Sequence, residues 1–219
     1  MKRGTMAANP FEHLPTTVTP ARDRVLSDSE LVAVLPAAEA DAWPFGPLVQ
    51  VLALTGQRRE EVASMAWAEL SSDLSTWTIP GVRTKNGAPH TVPLAEPVRT
   101  ILRAIPHLGP LVFGGPAGKP FKGWSKAKAR LDRASGITGW RLHCLRRTLA
   151  TGLQRLGIRL EVTEAVLKHI SGTRSGIVGV YPRHTWDAEK RSALDAWAGQ
   201  VSGLLNGGGV TNNVVRLAS

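Results

Sequence analysis

Cysteine is nearly absent from this chain of 219 residues, in which Cys144 is the only one. A single cysteine excludes an internal disulfide and a zinc site built on several cysteines, and it fits a reducing cytoplasm. No apolar run approaches the roughly 18 residues of a membrane-spanning helix, and residues 1–15 lack the apolar core of a secretory signal. The sequence therefore predicts a cytoplasmic protein without membrane association.

Acidic residues are also few, since 17 Asp and Glu accompany 27 Lys and Arg and leave a net charge of +10. Such an excess of positive charge indicates a polyanionic partner. DNA or RNA is favoured over a membrane surface because the basic residues are scattered through segments with helical patterns. On charge alone, a basic bacterial housekeeping protein is the alternative.

The hydrophobic pattern predicts a mainly helical domain with a small antiparallel sheet, an α+β fold. Ser27 and Glu30 form a capping box that predicts the first helix. Two β-rich runs lie within residues 76–94 around Asn86-Gly87, a dipeptide typical of tight hairpins. Periodicity predicts the remaining helices over 47–54, 58–67, 95–105, 121–134, 140–157, 158–170 and 185–205.

The predicted helix over 140–157 has an apolar stripe of leucines at spacings of three and four residues. His143, Arg146 and Arg147 lie beside that stripe, three and four residues apart, so we expect their side chains to point the same way. A helix that is anchored by leucines and presents a histidine and two arginines is suited to holding a phosphate. The alternative for His143 is a core or capping histidine.

Four other residues are candidates for chemistry on a phosphate. Arg58 begins a short helix, whose N-terminus suits an anion, although a surface arginine paired with an adjacent glutamate is the alternative. Lys85 precedes Asn86-Gly87 and could protonate a leaving oxygen, unless it is a solvated turn lysine. His169 ends a helix, with a capping role as its alternative. Tyr181, the only tyrosine, becomes a usable nucleophile where cations stabilise its phenolate, and is otherwise a packed aromatic.

The motifs TGQRREE, TKNGAPHTVPL, LHCLRRT, LKHISG and GVYPRH follow one another in the chain. In this order they resemble the catalytic domain of the tyrosine recombinase (phage integrase) family, over Leu26 to Trp197. The resemblance implies a tyrosine recombinase catalytic-domain fold with Tyr181 as nucleophile and Lys85 as the hairpin lysine. It implies the remaining site residues as well: Arg58, its supporting Glu61, His143 and Arg146 of the H-x-x-R box, and the second histidine, His169. The usual box reads HDLRR, and Cys144 stands here in place of the aspartate, which we expect to weaken local hydrogen bonding or packing without abolishing chemistry.

The resemblance further implies a site-specific recombinase that cleaves and rejoins double-stranded DNA through a 3′-phosphotyrosyl intermediate, with no nucleotide cofactor and no metal. Residues 1–25 are expected to be a flexible lead-in, the remnant of a linker to a missing N-terminal DNA-binding domain. The catalytic domain is then 26–205, and 206–219 is a tail. A tetramer on DNA is expected for the full-length protein, in the bacterial or phage-infected cytoplasm at the nucleoid. The alternatives are a type IB topoisomerase-like nicking-closing enzyme and a non-catalytic DNA-binding domain.

Overall fold

The structure, a computed structural model, describes residues 24–84, 87–114, 118–168 and 185–207. Within these ranges a two-stranded antiparallel sheet lies among α-helices, which confirms the mainly helical fold with a small sheet. The helices are α1 (Asp28–Glu39), α2 (Phe45–Thr55), α3 (Arg59–Ala63), α4 (Glu96–Ala104), α5 (Trp124–Ser135), α6 (Leu142–Arg155), α7 (Leu160–Leu167) and α8 (Asp187–Leu205). The strands are β1 (Thr76–Ile79) and β2 (His90–Pro93).

The first two helices begin and end for reasons that the sequence carries locally. The Ser27 hydroxyl accepts the Glu30 N–H at 3.2 Å, and a Glu30 carboxylate oxygen accepts the Ser27 N–H at 2.9 Å, which confirms the capping box. Helix α2 is apolar nearly all round and is therefore the central helix of the core. It ends at Gly56, whose φ of +64° is the left-handed conformation that glycine adopts freely.

Helices α2, α6 and α8 meet around Trp197, which is almost fully buried. Its indole N–H donates to the Ala53 carbonyl of α2 at 2.9 Å. On α6, a Cβ at Gly152 would lie only 2.1 Å from a ring carbon of Trp197. The absence of a side chain at Gly152 thus lets α6 and α8 cross closely, and this fixes the helix that carries His143 and Arg146.

The hairpin is confirmed, with Thr76 opposite Pro93 and Ile79 opposite His90. Its strands are joined by residues 80–89 rather than by a two-residue turn at Asn86-Gly87. Prolines stand at both ends of this connection, at positions 80 and 89, and a proline cannot donate to the ladder. The connection is therefore a longer loop, which contains a short 3-10 turn over Gly81–Arg83.

Some predicted elements are shorter in the structure. The helix expected over 158–170 is α7, which ends at Leu167, and the helix expected over 58–67 is α3 followed by a 3-10 turn at Trp67–Glu69. No helix in the described part of the chain is long and apolar enough to cross a membrane. Most of the predicted lead-in and tail, and the segment 169–184, lie outside the described residues.

Candidate active site

Arg58 and Glu61 form a tightly bonded pair at the start of α3. One Glu61 carboxylate oxygen accepts the Arg58 backbone N–H at 2.9 Å, and the other accepts Arg58 Nη1 at 2.8 Å. Glu61 is buried, whereas a third of the Arg58 side chain is exposed. A carboxylate that bonds both the backbone and the guanidinium of one residue orients that guanidinium. Arg58 is therefore paired with a glutamate, as its alternative interpretation has it, and both residues lie in the wall of a cavity.

Arg146 is buried between the ends of two other helices. Its Nη1 donates to the Gly56 carbonyl at 2.7 Å, and its Nη2 donates to the Leu167 carbonyl. Burial, and then the charge of Arg58, lower the pKa of Arg146 to about 10, so the group stays cationic at neutral pH. A guanidinium carries five N–H donors. The two carbonyls therefore orient Arg146 without exhausting its capacity to bind an anion.

His143 lies one helical turn before Arg146 on α6. The His143 side chain is exposed whereas that of Arg146 is buried, so the two residues share one side of the helix at different depths. Burial of part of its ring, and then the charges of Arg146, Arg147 and Arg58, lower the pKa of His143. Its imidazole is accordingly neutral at physiological pH, with one nitrogen as donor and one as acceptor. Such a group can either donate to a phosphate oxygen or take up a proton.

A cavity of about 940 Å³ joins the Arg58 turn to the start of α6, and it is lined by Arg58, Glu61 and His143 together with residues of α5. Two cations among its lining residues stack on indole rings. The Lys128 Nζ lies 3.9 Å from the centre of the Trp140 ring, and the Arg59 Cζ lies 4.9 Å from that of Trp124. Cations stacked on aromatic rings are held in place, and Lys128 and Arg59 are also paired with the carboxylates of Asp132 and Glu60.

The C-terminal end of α7 is held by buried side chains from several elements. The Val166 carbonyl accepts Gln57 Nε2 at 2.9 Å and His90 Nε2 at 3.1 Å, while the next carbonyl, of Leu167, accepts Arg146. Because a carbonyl only accepts, His90 carries its proton on Nε2. Burial, and then the charge of Lys190, lower the pKa of His90 to about 4. The last residues of α7, Val166 and Leu167, are thereby held against the end of α2, β2 and α6.

The sequence did not indicate that Gln57 and His90 contribute to the site, although both residues lie inside the quoted motifs. Bonds to a remote backbone carbonyl leave no periodic signal. Arg83 was missed for the same reason. It donates to the Ser64 carbonyl at 2.8 Å and thereby ties the β1–β2 connection to the end of α3.

Cys144 takes over a capping contact at the start of α6. Its Sγ accepts the Arg141 backbone N–H at 3.4 Å, and its carbonyl accepts the Thr148 hydroxyl at 2.8 Å. Sulfur is a weak acceptor, so this cap at the start of α6 is a weak one.

Four of the seven predicted site residues are described, and three of them, Arg58, Glu61 and His143, line one cavity. Arg146 adjoins them through its contact with the Gly56 carbonyl and its electrostatic interaction with Arg58. The other three predictions lie outside the described residues: Lys85, His169 and Tyr181.

This fold is that of tyrosine recombinase catalytic domains. The chain belongs to the phage integrase family, whose model matches residues 24–184. Over 169 residues it is 30% identical to the prophage integrase IntA of Escherichia coli strain K12, covering 75% of this chain and 40% of IntA.

Two solved structures support the fold. The integrase from mycobacterium phage Brujita has a TM-score of 0.59 at 20% identity, over 83% of this chain and 58% of that one. A lambda integrase tetramer bound to a Holliday junction has a TM-score of 0.54 at 19% identity, over 68% of this chain and 48% of that one. This chain therefore spans roughly half the length of these relatives.

Proposed function

We propose that this chain is the catalytic domain of a site-specific DNA recombinase that acts through a 3′-phosphotyrosyl intermediate. The observation that carries the proposal is the convergence of Arg58, Arg146 and His143 from α3 and α6. Arg58 disfavours the charged form of Arg146, and an anion bound between two cations relieves such repulsion. A phosphate is the anion that this pair of guanidinium groups suits best.

In the proposed reaction, Arg58 and Arg146 bind the non-bridging oxygens of the scissile phosphate and stabilise the charge of the transition state. The Tyr181 oxygen forms a bond to phosphorus as the bond to the 5′-oxygen breaks. The phenolic proton passes to a base, and Lys85 gives a proton to the leaving oxygen. His143, neutral at physiological pH, is suited to either role of donor or base, and His169 is proposed as the second histidine.

A 5′-hydroxyl of a partner strand then attacks the phosphotyrosine and releases Tyr181. The number of phosphate ester bonds is unchanged, so the reaction needs no nucleotide cofactor. We propose double-stranded DNA as the substrate and a tetramer on DNA for the full-length protein. The net charge of +10 and the adjacent cations Arg58 and Arg146 support double-stranded DNA as the substrate. The lambda integrase tetramer on a Holliday junction supports the tetramer. The proposed location is the bacterial or phage-infected cytoplasm.

The test uses a nicked suicide substrate, from which cleavage releases a short fragment and prevents rejoining. The wild-type protein should form a covalent adduct that survives denaturing electrophoresis, and Tyr181→Phe should bind DNA equally well without forming one. Because the chain has one tyrosine, mass spectrometry of the nuclease-trimmed adduct should find the nucleotide on the peptide that contains residue 181. An adduct formed by Tyr181→Phe would refute the proposal.

Further assays separate the two alternatives. Relaxation of supercoiled plasmid without exchange between two marked sites would indicate a topoisomerase-like enzyme. DNA binding without any adduct, in a protein that melts cooperatively, would indicate a non-catalytic DNA-binding domain.

A further inference from the structure

Lys168 connects the end of α7 to the loop between the two strands. It caps α7 directly before His169. Its Nζ donates to the Ala88 carbonyl and, at 3.2 Å, to the Pro89 carbonyl. These two carbonyls follow Lys85 by only three and four residues in the sequence. One amine thus spans two segments, each adjoining a candidate catalytic residue.

The backbone of Lys168 is left-handed, with φ of +49°. Glycine adopts this conformation freely and is the usual residue at such helix ends, whereas a lysine is strained there. A strained residue in a well-determined place is a reason to look for a function of its side chain. The place is well determined here because Gln57, His90 and Arg146 hold the two preceding carbonyls.

The loop that Lys168 bonds is also held at residues that precede position 85. Arg83 donates to the Ser64 carbonyl at 2.8 Å. The Thr84 hydroxyl donates to the Ala88 carbonyl at 2.7 Å, so residues 84 and 88 are joined on either side of position 85. Ala88 therefore accepts from both Thr84 and Lys168, and the amine completes the attachment of this loop to α7.

Lys168 also lies within electrostatic range of the candidate phosphate site. Burial lowers its pKa, the charge of Glu61 opposes that shift, and the charge of Arg58 adds to it. The Lys168 amine therefore bonds the loop carbonyls and interacts electrostatically with the Arg58–Glu61 pair.

We propose that Lys168 is a positioning residue for Lys85. By holding the Ala88 and Pro89 carbonyls against the end of α7, it sets the distance between the loop that carries Lys85 and the phosphate held by Arg58 and Arg146. This inference rests on the proposed function, in which Lys85 protonates the leaving 5′-oxygen.

The experiment compares two suicide substrates, one ordinary and one with sulfur in place of the bridging 5′-oxygen. A thiol has a pKa of about 8.5, so a thiolate leaves without a proton and cleavage no longer depends on the general acid. Lys168→Gly and Lys168→Asn remove the amine while suiting a left-handed backbone. Both should cleave the ordinary substrate about tenfold more slowly, the loss expected for one charge-assisted hydrogen bond.

On the sulfur substrate the same variants should cleave at nearly the wild-type rate, as should Lys85→Ala. Lys168→Arg, which keeps the charge and the donors, should retain most of the activity on both substrates. The double variant of Lys85→Ala with Lys168→Gly should be no slower than Lys85→Ala alone, because Lys168 acts through Lys85. Lys119→Asn, which removes an exposed lysine elsewhere, should match the wild type throughout.

Two results would overturn the inference and leave the proposed function intact. Equal slowing on both substrates would show general damage to the site. Additive losses in the double variant would show an action independent of Lys85. A third result would be rescue by the sulfur substrate of the Lys168 variants but not of Lys85→Ala. It would overturn the inference by making Lys168 itself the acid, and it would remove Lys85 from that role in the proposed reaction. Absence of a wild-type adduct on either substrate would instead refute the proposed function, and this inference with it.

Discussion

Acidification should destabilise this domain through His90, by an amount that follows from its burial. Its pKa is lowered from 6.5 to about 4. Below pH 6.5 the unfolded chain takes up a proton at this imidazole, while the folded chain does so only near pH 4. Because the unfolded state then binds more protons, the free energy of unfolding decreases as the pH falls through this window. The loss is about 2 kcal/mol at pH 5 and about 3 kcal/mol at pH 4.

The physical cause is a buried positive charge among other cations. His90 interacts electrostatically with Lys190 of α8, Lys168 at the end of α7 and Arg146 of α6. Lys190 is partly neutralised by Asp187 at 2.8 Å. The bond from Nε2 to the Val166 carbonyl favours protonation, but it is outweighed by burial and Lys190. Protonation thus costs free energy although the hydrogen bond is kept.

The assay is urea unfolding of the wild type and His90→Gln at pH 7, 5 and 4. Glutamine can present its side-chain nitrogen where the imidazole presents Nε2, and so keep the donor to Val166 without titrating. All other titrating groups are shared, so the difference between the two proteins isolates His90. Between pH 7 and pH 4 the wild type should lose about 3 kcal/mol more than the variant. Parallel losses in both proteins would refute the reasoning.

Two further predictions concern the packing and capping of α6. Gly152→Ala should destabilise the domain by about 1–3 kcal/mol in thermal melts, since the new Cβ would overlap Trp197. Gly199 in α8 has open space around it, so Gly199→Ala should stabilise the domain by about 0.5–1 kcal/mol. Equal changes of stability in the two variants would contradict the close packing at Gly152. Cys144→Asp should raise the melting temperature, because a carboxylate in the first turn accepts the Arg141 N–H more strongly than sulfur does. A lower melting temperature would show that burial of the carboxylate dominates.

Local signals predicted the elements of the fold well. Ser27 and Glu30 predicted the start of α1, because caps depend on residues within one turn of each other. Gly56, which ends α2 in the structure, is a signal of the same local kind. Asn86-Gly87 indicated the hairpin correctly but not the length of its connection. The strand ends depend on the flanking prolines at positions 80 and 89 as well as on the turn dipeptide.

The candidate site was predictable as a set of residues but not as a set of contacts. The H-x-x-R spacing put His143 and Arg146 on the same side of α6, yet it did not reveal that one is exposed and the other buried. Depth depends on what packs over a helix, here the ends of α2 and α7. The contact of Lys168 with the Ala88 carbonyl joins residues 80 positions apart, and no periodicity links such positions.

Arg146 shows why the site and the stability of this domain are difficult to separate. It is the only cation in the described ranges that bonds both Gly56, where α2 ends before Arg58, and Leu167, where α7 ends before Lys168 and His169. Its replacement would leave two buried carbonyls without this donor, at a cost of roughly 1–3 kcal/mol each. An inactive Arg146 variant therefore does not by itself identify a phosphate contact. Lys168 is the more informative residue, because its amine bonds an exposed loop, and the sulfur substrate distinguishes loss of acid catalysis from loss of the fold.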